Sequence, residues 1–64
     1  MKLSTALRRA AAQICDSDGC IWPDEMESMV RKWYTMREFW RPLYTEHLVL
    51  SMLLLAEIAE GEGR

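Results

Sequence analysis

The sequence predicts an all-α fold: a short N-terminal helix followed by a helical hairpin or proline-kinked helix pair, assembled as a dimeric helical bundle. Three observations predict it. Apolar residues recur at spacings of three and four in three successive stretches. An Asp/Ser/Gly cluster at 16–19 and Pro42 separate those stretches. The last stretch carries more apolar surface than a chain of 64 residues readily covers. The expected helices span about 3–15, 23–41 and 43–60 of a single domain covering 1–64, with a frayed tail at 61–64.

In the first helix Leu3, Leu7, Ala10 and Ile14 are spaced by four, three and four, which makes one stripe. Ser4 or Thr5 can cap its start by accepting from free backbone N–H groups. Ala10, Ala11 and Ala12 favour helix but bury little. This helix is therefore expected to be the weakest of the set, with Arg8 and Arg9 off the stripe and solvated. Asp16-Ser17-Asp18-Gly19 is a turn by composition. Trp22-Pro23-Asp24-Glu25 then opens the second helix. Proline suits the first helical position, where its missing N–H has no role, and the acids face the positive end of the helix dipole.

Along the second helix Met26, Met29, Val30, Trp33, Met36 and Trp40 fall on one face, with Tyr34 and Phe39 on its flanks. Glu27, Arg31, Thr35 and Glu38 take the opposite face, and Glu27 precedes Arg31 by four, the favourable order for a surface pair. Pro42 cannot donate to the preceding turn and disfavours helix at Arg41, so a tight corner is expected there.

The third helix should end at Gly61. Its main stripe is Tyr44, Leu48, Met52, Leu55 and Ala59, with Ser51 inside it. Glu46, Glu57 and Glu60 mark a polar side, yet Leu50 and Leu53 lie among them. A helix that is apolar nearly all round must be covered nearly all round. Two modest helices are not expected to manage that. A second copy is therefore expected to cover Leu50 and Leu53, through a two-fold contact of Tyr44, Leu48, Leu50, Met52, Leu53 and Leu55.

Composition narrows the function classes. The net charge of −2 and pI near 5.2 argue against non-specific nucleic-acid binding, which needs clustered cations. The longest uncharged apolar run, Leu48 to Ala56, is nine residues, against about twenty for a membrane span. Arg8 and Arg9 interrupt the N-terminal apolar residues, unlike a secretory leader. A cytoplasmic protein without membrane contact is expected, with Cys15 and Cys20 reduced.

No constellation carries catalysis. Cys15, Cys20 and His47 supply three zinc-type ligands without a fourth, and small buried thiols explain the cysteines. Asp16, Asp18 and Glu27 match parts of a calcium loop, but Ile21 stands where that loop needs glycine. No nucleophile accompanies His47, and no glycine loop cradles phosphate. No cofactor, no metal and no enzymatic activity are expected.

What remains is adhesive surface. Trp, Tyr, Met and Arg are enriched at interface centres, and methionines let a surface repack. Arg31, Tyr34, Arg37, Phe39, Trp40 and Arg41 are the expected partner-binding residues. In its size, acidity, helicity and adhesive aromatics the chain resembles the small phage-encoded inhibitors of host regulators, pili or defence systems. The resemblance is one of build and transfers no residue roles. It implies a non-enzymatic protein that occludes a surface of a larger bacterial protein. The alternative is a small DNA-binding regulator or nucleic-acid accessory protein using Arg8, Arg9, Arg31, Lys32, Arg37 and Arg41. A third class is an assembly subunit whose only partner is itself.

Overall fold

The computed structural model describes residues 1–18, 24–45 and 47–63. All secondary structure among these residues is helical: α1 (Leu3–Asp18), α2 (Asp24–Thr35), α3 (Arg41–Thr45) and α4 (Leu48–Gly61). Gly19, Cys20, Ile21, Trp22, Pro23, Glu46 and Arg64 lie outside the described residues. The expected turn glycine, the Cys15–Cys20 pair, the calcium loop and the proline start of the second helix fall with them. Each of the other helices packs against α4, α1 most extensively, then α2, then α3.

The first helix was expected to be the weakest, yet it makes the largest contact. The reason is side-chain size. Ser4, Ala11 and Cys15 are buried on α1, and Ala56 and Ala59 are buried on α4. Small residues let two helix backbones approach closely and gain dispersion along their length. The face turned inward is therefore Ser4, Arg8, Ala11 and Cys15, adjacent to the stripe that hydrophobicity marks out. Leu3 stays half exposed at the rim.

The second helix keeps its predicted inner face only in part. Val30 is buried, and Met26, Trp33 and Tyr34 pack against the core. The helix then stops at Thr35, short of the expected end at 41. Arg37 takes the left-handed conformation, with φ 61°. Its N–H donates to the Tyr34 carbonyl at 3.1 Å, and the Glu38 N–H donates to the Trp33 carbonyl at 2.8 Å. These two bonds satisfy carbonyls that the helix end would leave orphaned, in the pattern that usually employs glycine. Met36 and Trp40 consequently leave the helical face and are exposed.

Pro42 neither kinks a long helix nor divides two. It is the second residue of α3, buried, where its fixed φ suits the first turn. The expected helix over 43–60 is broken before Leu48. His47 is extended (φ −103°, ψ 108°) and its Nδ1 accepts from the Leu50 N–H at 3.4 Å, so it caps α4. The histidine that suggested a ligand is a helix start. At the far end Gly61 is still helical, and only glycine fits there because a Cβ would collide with the Tyr34 hydroxyl. The left-handed stop is Gly63 (φ 77°), whose N–H donates to the Glu60 carbonyl at 3.1 Å.

The largest correction concerns which face of α4 is inside. Leu50 is 6% exposed and Leu53 2% exposed within a single chain. No second copy is needed to shelter them. Glu57, on the same face, is drawn inward with them and neutralised. Arg8 of α1 donates to its carboxylate at 2.6 Å, and Arg31 of α2 approaches it at 3.5 Å. Arg8 also reaches Glu60 at 3.2 Å. Of the acids that read as a solvent face, Glu60 stays exposed, Glu46 lies outside the described residues, and Glu57 is the polar edge of a buried one. Arg8, expected in solvent, is the cation that makes this possible. Leu50, Leu53 and Leu54 face inward, and Leu48 and Leu55 of the expected main stripe are left outside.

Candidate protein-binding surface

The segment between α2 and α3 gathers aromatic rings and arginines. Tyr34 at the end of α2 and Phe39 in the turn lie with ring centroids 6.0 Å apart. The left-handed backbone at Arg37 throws its side chain back over both. Its guanidinium carbon is 5.4 Å from the Tyr34 centroid and 5.9 Å from that of Phe39. Trp40 and Tyr44, one turn apart, meet edge to face at 5.3 Å. Arg41 covers the Trp40 ring at 4.7 Å and donates to Glu38 at 2.9 Å. Guanidinium over a ring is attractive because the ring face is negative, and edge-to-face rings are attractive for the same reason.

Of the six expected partner-binding residues, the structure brings five together. Tyr34, Arg37, Phe39, Trp40 and Arg41 form a strip across the turn and α3. Arg31 does not join them. It faces Glu57 at 3.5 Å and Glu27 at 4.0 Å, and helps tie α2 to α4. Tyr44, assigned on sequence to self-association, belongs by contact to the aromatic strip and is 81% exposed. Sequence periodicity missed this because it placed Phe39 and Trp40 in a helix that has already ended.

The outer face of α4 adds a second apolar feature. Leu48 is 61% exposed and Leu55 52% exposed, and Leu43 of α3 stands beside them at 77%. Leu55 and Ile58 form a ridge with a hollow on either side. One hollow, of about 260 Å³, is bounded by Phe39, Pro42 and Leu43; the other, of about 310 Å³, by Leu3, Leu7 and Glu62. Of the expected self-association residues, Tyr44, Leu48 and Leu55 are therefore accessible and Met52 is half-buried. Leu50 and Leu53 are not accessible.

Among the described residues no three His, Cys, Asp or Glu side chains converge as a metal site. No helix among them is long and apolar enough to cross a membrane. Arg8 and Arg31 converge on Glu57, and Arg41 pairs with Glu38, so three of the six cations of the nucleic-acid alternative are engaged by acids. The chain matches no protein-family model, no curated protein and no solved structure.

Proposed function

We propose that this is a non-enzymatic interaction protein that binds a larger bacterial protein and occludes part of its surface, as a small phage-type inhibitor of a host regulator or defence component does. One observation carries the reading. The strip from Tyr34 to Tyr44 presents aromatic rings already held by guanidinium and edge-to-face contacts, so binding would order few additional rotamers. Rigid aromatic anchors beside arginine are the composition of interface hot spots. The homodimer expected from the sequence remains part of this proposal, through Leu48 and Leu55 of the expected contact and without Leu50 and Leu53, which are buried in the single chain.

The test is affinity capture from a bacterial host with the tagged protein, followed by reconstitution with the purified captured protein. Trp40→Ala and Arg41→Ala alter exposed positions, so the helical content should persist. Each should weaken the reconstituted complex at least about tenfold, a typical hot-spot loss. Unchanged affinity in both variants would remove this surface from the proposal.

A further inference from the structure

We infer that the outer face of α4 is a self-complementary docking surface whose occupant is a second copy of this chain, with the two α4 helices antiparallel about a two-fold axis. The inference deepens the proposed homodimer, and stands apart from the aromatic strip that would engage a host protein.

Three observations carry it. The first is spacing. Leu48, Ser51, Leu55, Ile58 and Glu62 follow one another by three, four, three and four. This is the heptad stripe of a helix that packs lengthwise against another helix. Leu50 and Leu53 lie off the stripe and are used by the chain's own core. The stripe is thus a second helix-packing face, with Leu48 and Leu55 exposed on it and Ser51 and Ile58 half-buried at its inner edge.

The second is shape. Toward the N-terminal end Leu43 and Leu48 stand out, and Leu43 is also the wall of the hollow it shares with Pro42 and Ser51. The C-terminal half is hollow, between Leu55, Ile58, Leu3 and Leu7. A parallel pairing would set protrusion on protrusion. An antiparallel pairing sets each protrusion in the partner's hollow, twice over, as a two-fold contact requires. Centring the axis between Ser51 and Leu55 also places Leu55 of each copy over Ser51 of the other. Ser51 is the only short side chain in the stripe, and it leaves room for that leucine. The same arrangement opposes the helix dipoles and brings the end bearing Glu62 near the partner's end bearing Arg41.

The third is area. From their fractional exposures, Leu3, Leu43, Leu48 and Leu55 together offer on the order of 450 Å² of surface, about half of the ~800 Å² per partner of a standard interface and in the range of small, weak ones. An interface of this size belongs to the weak, reversible class, so the dimer should be concentration-dependent.

Sedimentation equilibrium of the whole chain across the micromolar range tests the inference. Wild type should pass from monomer to dimer. Leu55→Glu should fold normally, since the position is half exposed in one copy, and should weaken dimerisation at least about 100-fold by burying one unpaired carboxylate from each copy. Leu48→Glu provides the second variant. An isotope-filtered nuclear Overhauser experiment on mixed labelled and unlabelled protein should show Leu48 methyls against Ile58 methyls across the interface. Within one chain these are ten residues, or about 15 Å, apart, so the signal is unambiguous. A chain that stays monomeric, a dimer indifferent to both glutamates, or a dimer lacking the Leu48–Ile58 contact would overturn it. None of these outcomes bears on host-protein capture through Trp40 and Arg41.

Discussion

Replacing Glu57 by glutamine keeps the shape of the side chain and removes only its charge. The carboxylate is 16% exposed and receives Arg8, 26% exposed, at 2.6 Å. Arg31 sits on it at 3.5 Å from the more exposed side. The other terminal nitrogen of Arg8 is buried with no hydrogen-bond partner among the described residues. An exposed ion pair contributes about 0–1 kcal/mol, and breaking a buried one costs about 3–5 kcal/mol. A mostly buried pair with a third, exposed member lies between, at about 2 kcal/mol. In a domain this small each kcal/mol moves the midpoint by roughly 4–8 °C, so Glu57→Gln should lower Tm by about 8–16 °C. The assay is thermal unfolding followed by far-ultraviolet circular dichroism. Glu60→Gln is the internal control, because Glu60 is 64% exposed and touches Arg8 only at 3.2 Å. It should shift Tm by less than about 8 °C, below the range expected for Glu57→Gln. If the two variants melt together, Glu57 is not buried between two arginines, and the inward face of α4 has been assigned wrongly.

Three further outcomes follow from the same packing. Leu53→Ala should destabilise by about 2–4 kcal/mol in urea titrations, while Leu48→Ala stays within about 0.5 kcal/mol at concentrations where the chain is monomeric; the reverse order would invert the helix. Arg37→Gly should raise stability by about 0.5–1 kcal/mol, because glycine enters the left-handed region freely, less the contact of Arg37 with Tyr34 and Phe39; a loss of stability would mean those ring contacts outweigh the backbone term. Gly61→Ala should gain helix stability of about 0.5–1 kcal/mol only when combined with Tyr34→Ala, which vacates the space its Cβ needs; an equal gain in wild type would show that Tyr34 does not rest on Gly61.

Much of the helical content was legible because it depends on local spacing. Val30, Trp33 and Met26 face the core as their periodicity requires, and the Asp24 side of α2 carries acids at the positive end of the dipole. The first helix runs to Asp18, through residues 16–18 that composition marks as a turn, and two further boundaries were not legible because the residues that set them are not the usual ones. An arginine takes the left-handed stop at 37, and a histidine caps at 47. The orientation of α4 was the harder problem. Its apolar residues are spread so evenly that the acids alone seemed to choose a side. A carboxylate is a poor guide to the solvent face when cations on neighbouring helices can follow it inward. Glu57 does this with Arg8, forty-nine residues away in sequence, and no local pattern reports such a partner. The aromatic strip was legible as a set of residues but not as a shape, since it forms only where α2 has ended.

The claim on which the account turns is that α4 shelters Leu50 and Leu53 inside its own chain and offers Leu48 and Leu55 outward. Solvent paramagnetic relaxation of the four leucine methyl pairs, recorded on dilute and on concentrated protein, separates these sets directly. Leu50 and Leu53 should be shielded at both concentrations, while Leu48 and Leu55 should be relaxed when dilute and shielded when concentrated. Strong relaxation at Leu50 and Leu53 in the dilute sample, with Leu48 and Leu55 protected, would contradict both the fold and the docking face.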